Sequence, residues 1–430
     1  MNLTKNQIFI IFGIALVVIV LVLIVAGVIP GLKEPPQVTR NADLTIWGFD
    51  SKKAIDPAIA TFAGNYKGVK ISYREFADEA GYEAALLDAL AAGQGPDIFA
   101  VRNSGLAKNV NKIAPLARES LTTVQLHQFF PQVVERDLVP QGVVSALPAS
   151  MDTLALIYNK DLMNQAGIIT PPGTWTEFVK LVPKLTKTDA SRRVVQAGAA
   201  LGGSAANIPR AADILSLLML QNGVPMVSDD FSSAQFSTPE GAAALTFYTQ
   251  FTNTGSAVYT WNNGLGNAMD LFAQGKVAML FDYSSALTTL RARNPLLNID
   301  VAPVPQQASA TTPVTYARYF GYTVSRQSQN ADLAWQFILT LTTNPDVTSK
   351  YLIESGSIPA FLPLLGSYFN DPKLNVFARQ VLIARSWPQY DPLAVERIFS
   401  DMISLVSENR TSVDTALRQG EAQVSALMAR

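Results

Sequence analysis

His127 is the only histidine of the chain. It stands in an apolar–polar mixture ahead of Phe129 and Phe130, with no other ligand type beside it to share a metal. Cysteine is absent, which removes thiolate nucleophiles, cysteine metal sites and disulfides together. No metal and no cofactor is therefore expected. A Ser-His-Asp set would have to recruit His127, whose neighbours give no support, and no Gly-x-Ser-x-Gly elbow occurs. Gly93-Gln94-Gly95 lacks the later glycine and the Lys-Ser/Thr of a phosphate loop. Carboxylates do occur in pairs, at Asp78-Glu79 and Asp229-Asp230. A glycosidase needs two carboxyl groups facing one bond, whereas sequence neighbours point in divergent directions. These pairs are expected to be solvated loop charges, and the chain is expected not to be an enzyme.

The composition permits a large folded body. Of 430 residues, 48% are hydrophobic and 16% charged, enough to fill cores in two or three domains of roughly 150 residues each. Net charge is −1, so there is no basic surplus to neutralise phosphates and nucleic acid is not an expected partner.

The elements that must position any site begin after an unbroken, uncharged, almost wholly apolar run from Ile8 to Ile29. At about 1.5 Å per residue such a helix spans a hydrocarbon core of about 30 Å. Its exit, Ala26-Gly27-Val28-Ile29-Pro30-Gly31, is a poor cleavage site. Residues 1–29 are thus expected to be a single transmembrane anchor in the lipid bilayer, and 30–41, with Pro35-Pro36, a stiff spacer. Without cysteine the chain is not a lipoprotein. Beyond the spacer, strand and helix patterns alternate, the mark of an α/β fold. Asp43–Trp47 and Val69–Arg74 alternate as strands do, and Ile55, Ile59 and Phe62 recur at helical spacing. Tyr82, Ala85, Leu86, Ala89 and Leu90 share a helical face that Gly93 should end with a left-handed residue. Thr174-Trp175-Thr176-Glu177 is a capping box, and Pro183 should kink or shorten the helix it starts. Ala331–Leu341 and Leu393–Val406 are further amphipathic helices.

Several segments in order and spacing resemble the sugar-binding proteins of ABC importers, the maltose-binding-protein-like cluster. They are Ile46-Trp47-Gly48; Leu86–Ile98 with Gly93-Gln94-Gly95-Pro96-Asp97; Ala146–Leu162 with Met151-Asp152-Thr153 and Tyr158-Asn159-Lys160-Asp161; Phe272-Ala273-Gln274-Gly275-Lys276-Val277-Ala278-Met279; and Phe320–Ser325 followed by Ala334–Ile338. The resemblance covers Leu44 to about Trp387. It implies a two-lobed periplasmic-binding-protein fold, type II-like, with hinge crossings, one of them at Leu147-Pro148. One lobe is expected at 42–148 plus 285–341 and the other at 149–284 plus 342–430. It implies a monomer that holds a carbohydrate between the lobes, outside the cytoplasm, and hands it to ABC permease subunits.

A sugar offers apolar C–H faces to aromatic rings and hydroxyls to polar groups. That mixture occurs where the family keeps its cleft. Trp47 and Asp50 follow the first strand, Arg102 and Asn103 the third. Asp152 follows the crossing, and Asn207 and Arg210 lie in a Gly/Ala-rich approach. Trp261 and Asn262 occupy a loop, Asp282 and Tyr283 end a strand, Arg318, Tyr319 and Phe320 precede one, and Trp387 stands in a late turn. Each has a plainer reading: Trp47 as core, Asp282 as a helix cap, Asp152 as a backbone tie. Trp175 and Trp335, on helical faces, are expected in the core. Relatives often carry Asn and Trp where Arg318 and Phe320 stand. Arginine there either grips an anionic sugar or pairs with a local carboxylate. A sugar receptor or adhesin without a transporter, and a cleft-type glycoside-active enzyme, are the alternatives.

Overall fold

The computed structural model describes residues 38–429, with side chains from Asn41 onward. The expected anchor at 1–29 and most of the spacer lie outside the described residues. Among the described residues, no helix is long and apolar enough to cross a membrane. The last residues of the expected spacer already belong to the first strand, which starts at Val38.

Along the chain come β1 (Val38–Gly48), α1 (Lys52–Asn65), β2 (Tyr66–Glu75), α2 (Glu79–Ala91), β3 (Ile98–Arg102), β4 (Ile113–Ala114), β5 (Ser150–Thr153), β6 (Ala155–Asn159) and α3 (Trp175–Leu185). A small hairpin, β7 (Lys187–Thr188) with β8 (Val194–Gln196), leads to α4 (Ala211–Gln221), α5 (Pro239–Thr249), β9 (Met279–Asp282), α6 (Ser285–Arg293) and β10 (Ile299–Ala302). Then follow β11 (Thr315–Arg318), β12 (Phe320–Ser325), α7 (Ala331–Thr343), α8 (Pro345–Ser355), β13 (Ile358–Pro359), β14 (Ala384–Arg385), α9 (Pro392–Ser407) and α10 (Val413–Met428).

Local sequence explains many of these elements. Leu44 and Ile46 of β1 are buried while Thr45 and Trp47 are half-buried, as the period-two pattern requires. α1 turns Ile55 and Phe62 inward, and α2 turns Tyr82, Leu86 and Leu90. Gly93 leaves α2 at φ +69°, a left-handed conformation without penalty for glycine. At the start of α3 the Glu177 amide donates to Thr174 Oγ1 at 3.2 Å, and the Thr174 amide donates to Glu177 Oε2 at 3.1 Å. α3 ends two residues past Pro183. Trp175 and Trp335 are both core residues.

One sheet runs β2-β1-β3-β12-β4 and a second runs β10-β6-β9. β1 is parallel to β2 and β3, and β12 returns antiparallel to β3. A third sheet, β13-β5-β11-β14, sits where the chain passes between the other two. β5 runs on into β6 of the second sheet; β11 runs on into β12 of the first. These two passages lie side by side, antiparallel, with Thr153 opposite Ala317 and Asp152 opposite Arg318. Just upstream, Leu147 and Tyr322 exchange amide-to-carbonyl hydrogen bonds of 3.0 and 2.9 Å.

Two segments sit differently from the lobe ranges expected above. β10, grouped with 285–341 in the first lobe, pairs with β6, Val301 opposite Ile157. The buried β6 needs a partner on each edge to satisfy its backbone; β9 takes one and β10 the other. α8, grouped with 342–430, packs on α1 of the first lobe. The chain therefore returns at β11–β12 and leaves again near β13.

Candidate ligand-binding site

The gap between the two halves is lined from strand ends and helix starts. β3 is buried along its whole length and ends in Arg102, whose side chain is 4% exposed. Glu79 opens α2, where the helix dipole favours a carboxylate. Arg318 ends β11. From the other half come Asp213 in the first turn of α4 and Glu396 in the second turn of α9.

These five charges form one network. Arg102 Nη2 lies 2.6 Å from Glu396 Oε1 and 3.9 Å from Asp213, and its Nη1 lies 3.6 Å from Glu79. Arg318 reaches Glu79 at 3.1 Å, Glu396 at 3.4 Å and Asp213 at 3.8 Å. Next to it Arg210 Nε donates to Asp282 at 2.9 Å, its guanidinium lies 5.2 Å from the Tyr283 ring centre, and Tyr283 donates to Asp213 at 2.9 Å. Burial pushes the Glu79 carboxyl above its usual range, against the pull of Arg102 and Arg318. Further out, Lys108 donates to Asp391 across the same gap at 3.0 Å.

Two cavities flank this network. The larger, about 630 Å³, is walled by Phe49, Asp50, Asp152, Ser284, Ser285, Arg318, Tyr319 and Phe320 among others. The smaller, about 290 Å³, is walled by Glu79, Tyr82, Arg102, Lys108, Phe320 and Asp391 among others. Phe320 and Ala100 stand on both walls. Phe49 packs on Phe320 at 4.4 Å and on Tyr82 at 4.6 Å, so an aromatic edge runs from one cavity to the other.

Polar atoms in this region are left without partners. Among the described residues, Glu79 Oε1, Arg102 Nε and Nη1, Ser104 Oγ and Gln389 Oε1 are buried and make no hydrogen bond; Asn207 Oδ1 and Trp261 Nε1 are in the same condition deeper in the second half. Such groups cost about 1–3 kcal/mol each when left unmade. The set mixes donors with acceptors, and a hydroxyl group can serve either.

Of the residues singled out in the sequence, Asp50, Asp152, Arg318, Tyr319 and Phe320 come together on the larger cavity. Asp50 accepts from Tyr322 at 2.5 Å and Tyr351 at 2.7 Å, and burial raises its pKa. Asp152 accepts from the Ser284 hydroxyl at 2.7 Å and amide at 2.9 Å. Burial still pushes its pKa up to about 7. Asp282 and Tyr283 join the ionic network. Arg318 pairs with Glu79, Asp213 and Glu396, carboxylates distant from it in the sequence. Asn103 is turned away: its amide donates to Asp137 at 2.8 Å, alongside Tyr319 at 2.7 Å and Ser386 at 2.5 Å. Trp47 packs against Phe76 at 5.3 Å under the Arg74 guanidinium. Asn207 donates to the Asn262 carbonyl at 3.4 Å, and Asn262 in turn to Tyr259 at 3.1 Å. Trp261 is fully buried, and Trp387 stacks on Phe399 with its indole N–H donating to Ser216 at 3.1 Å. Neither tryptophan is on the wall of either of these two cavities.

Glu79 corrects the expectation of a solvated loop pair. Asp78 does stay exposed, but the Glu79 side chain is 11% exposed between two arginines. Asp213, Glu396 and Gln389 were not singled out. For Asp213 a signal existed: it is the one charge in the Ala211–Leu220 run, apolar but for it and Ser216, where a buried carboxylate demands a partner.

The family described as bacterial extracellular solute-binding protein matches residues 57–367 of the chain. The maltotriose-binding protein of Pyrococcus abyssi is 23% identical over 297 residues, 68% of this chain and 60% of that relative. Among solved structures, the cyclic α-maltosyl-1,6-maltose binding protein of Arthrobacter globiformis superposes with a TM-score of 0.75 at 20% identity, covering 91% of this chain and 100% of that one. An ABC transporter solute-binding protein of Thermotoga lettingae, bound with α-D-tagatose, gives 0.70 at 23% identity, covering 90% and 100%. Both share the two-lobed α/β fold described above.

Proposed function

The chain belongs to the family of bacterial extracellular solute-binding proteins, a family of binders and not of enzymes, and from that premise we propose that it captures a neutral carbohydrate between its lobes for an ABC importer. The observation that carries the choice of ligand is the row of polar groups on the larger cavity's wall, Asp50, Asp152, Ser284 and Ser285, together with the Phe49–Phe320 edge on the same wall. Hydroxyls answer the first and sugar C–H faces the second. The arginines are already matched by carboxylates, so the ligand brings no compensating charge. The relatives named above are receptors for maltotriose, a cyclic maltosyl-maltose and tagatose, all uncharged carbohydrates. In this reading the Ile8–Ile29 segment tethers a monomeric receptor to the outer face of the cytoplasmic membrane.

The test is a thermal-shift screen of the 38–430 fragment against neutral saccharides, amino acids and polyamines. A ligand at 100 times its Kd stabilises the fold by about 2.7 kcal/mol, a shift of a few degrees. Saccharides should give it, and Phe320→Ala should weaken it without lowering the apo melting temperature by more than a few degrees. Stabilisation by amino acids or polyamines alone would overturn the carbohydrate reading.

A further inference from the structure

We infer that opposite charges on the two sides of the gap form an ionic clasp that holds the halves together before any solute arrives. The clasp acts whatever the solute is, so it stands apart from the carbohydrate reading. The charges are sorted by half. Arg102 ends β3, and Lys108 follows it in the first half. Asp391 caps α9 and Glu396 stands in its second turn; α9 packs on α4 and α10 and so moves with the second half. Arg102 Nη2 meets Glu396 at 2.6 Å, and Lys108 Nζ meets Asp391 at 3.0 Å. Arg318, on the passage, adds a contact to Glu396 at 3.4 Å. Beside them the Gln389 amide donates to the Ser104 carbonyl at 2.6 Å.

A lone exposed ion pair contributes little, and a wholly buried one loses its hydration. These pairs lie between the two limits. The Glu396, Lys108 and Asp391 side chains are 31%, 26% and 27% exposed, so part of their hydration survives closure. Arg102, at 4%, gains a charged partner where little water reaches it. Several pairs of one sense act as a network, the case in which partly exposed charges do stabilise. When the halves part, these contacts are lost together. The pairs within the first half, Lys108 with Glu83 at 2.5 Å and Arg102 with Glu79 at 3.6 Å, persist. The closed arrangement is thus favoured by the protein's own charges, and a solute touching both halves adds to a bias already present.

Because the chain has no cysteine, two introduced thiols take spin labels at chosen places. Ala91→Cys at the end of α2 and Gln419→Cys on α10 are exposed positions, one on each half. Double electron–electron resonance on the full chain, with no solute added, reads the separation of the halves. At about 0.1 M salt the separation should be that of the structure. Adding Asp391→Asn and Glu396→Gln removes the second half's charges while an asparagine oxygen still caps α9. The closed-to-open ratio should then fall by about tenfold or more. Glu83→Gln, which takes from Lys108 only its partner in the same half, should leave the ratio unchanged. A labelled wild type spread to longer separations would overturn the inference, as would a double variant as closed as the wild type or an equal opening by Glu83→Gln. Should the double variant not fold, salt decides. Raising it to about 1 M, where screening sets in beyond about 3 Å, should lengthen the wild-type separation, and no lengthening would overturn the clasp.

Discussion

The molecule buries carboxylates in two different ways. Glu79, Asp213 and Glu396 face arginines across the gap between the halves. Asp50, Asp137 and Asp152, near the passages between the halves, have hydroxyls and amides for partners and, among the described residues, no cation within ion-pair distance. The first arrangement compensates charge with charge and so depends on both halves being in place. The second leaves burial in control, pushing Asp137 to about 6 and Asp152 to about 7. Placement of charge, more than its amount, separates a group that answers to partners from one that answers to pH.

The comparison can be broken most forcefully at Arg102. Arg102→Met leaves Glu79, Asp213 and Glu396 to share Arg318 alone and should cost about 3–5 kcal/mol in urea unfolding. Adding Glu396→Leu should restore most of that loss, since a buried pair exchanged for apolar bulk is near neutral. No recovery would mean that the charges are independent. A second effect, spread over several pH units, belongs to the hydroxyl-bound acids. Their folded pKa values lie above the unfolded value of 3.8, so the folded chain binds more protons in between. Their contribution to stability is therefore greatest at the acid side and falls as pH rises from about 4 to about 7. Asp152→Asn should flatten that decline in a series of melts; an unchanged slope would place the titration elsewhere. Tyr351→Phe removes one of the hydroxyls donating to Asp50 and should cost about 1–2 kcal/mol. The smallest effect is expected at Asp230, an exposed carboxylate held down to about 2 by the Ser228 and Ser232 hydroxyls. Asp230→Ala should move the unfolding midpoint least of these variants, as a reference outside both environments.

What could be read from the sequence was what neighbours in the chain decide. The inward face of α1, the Thr174 capping box and the Gly93 helix exit depend on residues a few positions apart, and each occurs as its pattern demands. The binding-protein family was legible because its segments keep their order from Ile46 to Ile338. Long-range pairing was not. Glu79 looks like a loop acid beside Asp78, and nothing nearby announces Arg318, 239 positions away. Trp261 has no core periodicity around it, yet the loop that holds it folds under the Gly203 turn, where a Cβ would sit 2.8 Å from its indole nitrogen. β10 was grouped with the first lobe because the strand edge it completes lies far upstream. Asp50 and Asp152 could be picked as cavity residues because the ends of strands in such folds face the opening.

Because β5 and β11 are hydrogen-bonded to each other where both pass between the halves, they turn as one axle. Points on an axle travel least when the arms swing. Asp152 and Arg318, paired across it, therefore lie where any swing of the halves moves them least, while Glu396 and Asp391 stand off the axle. A solute arriving at the open form meets a floor already in final shape, and only the roof has still to come down.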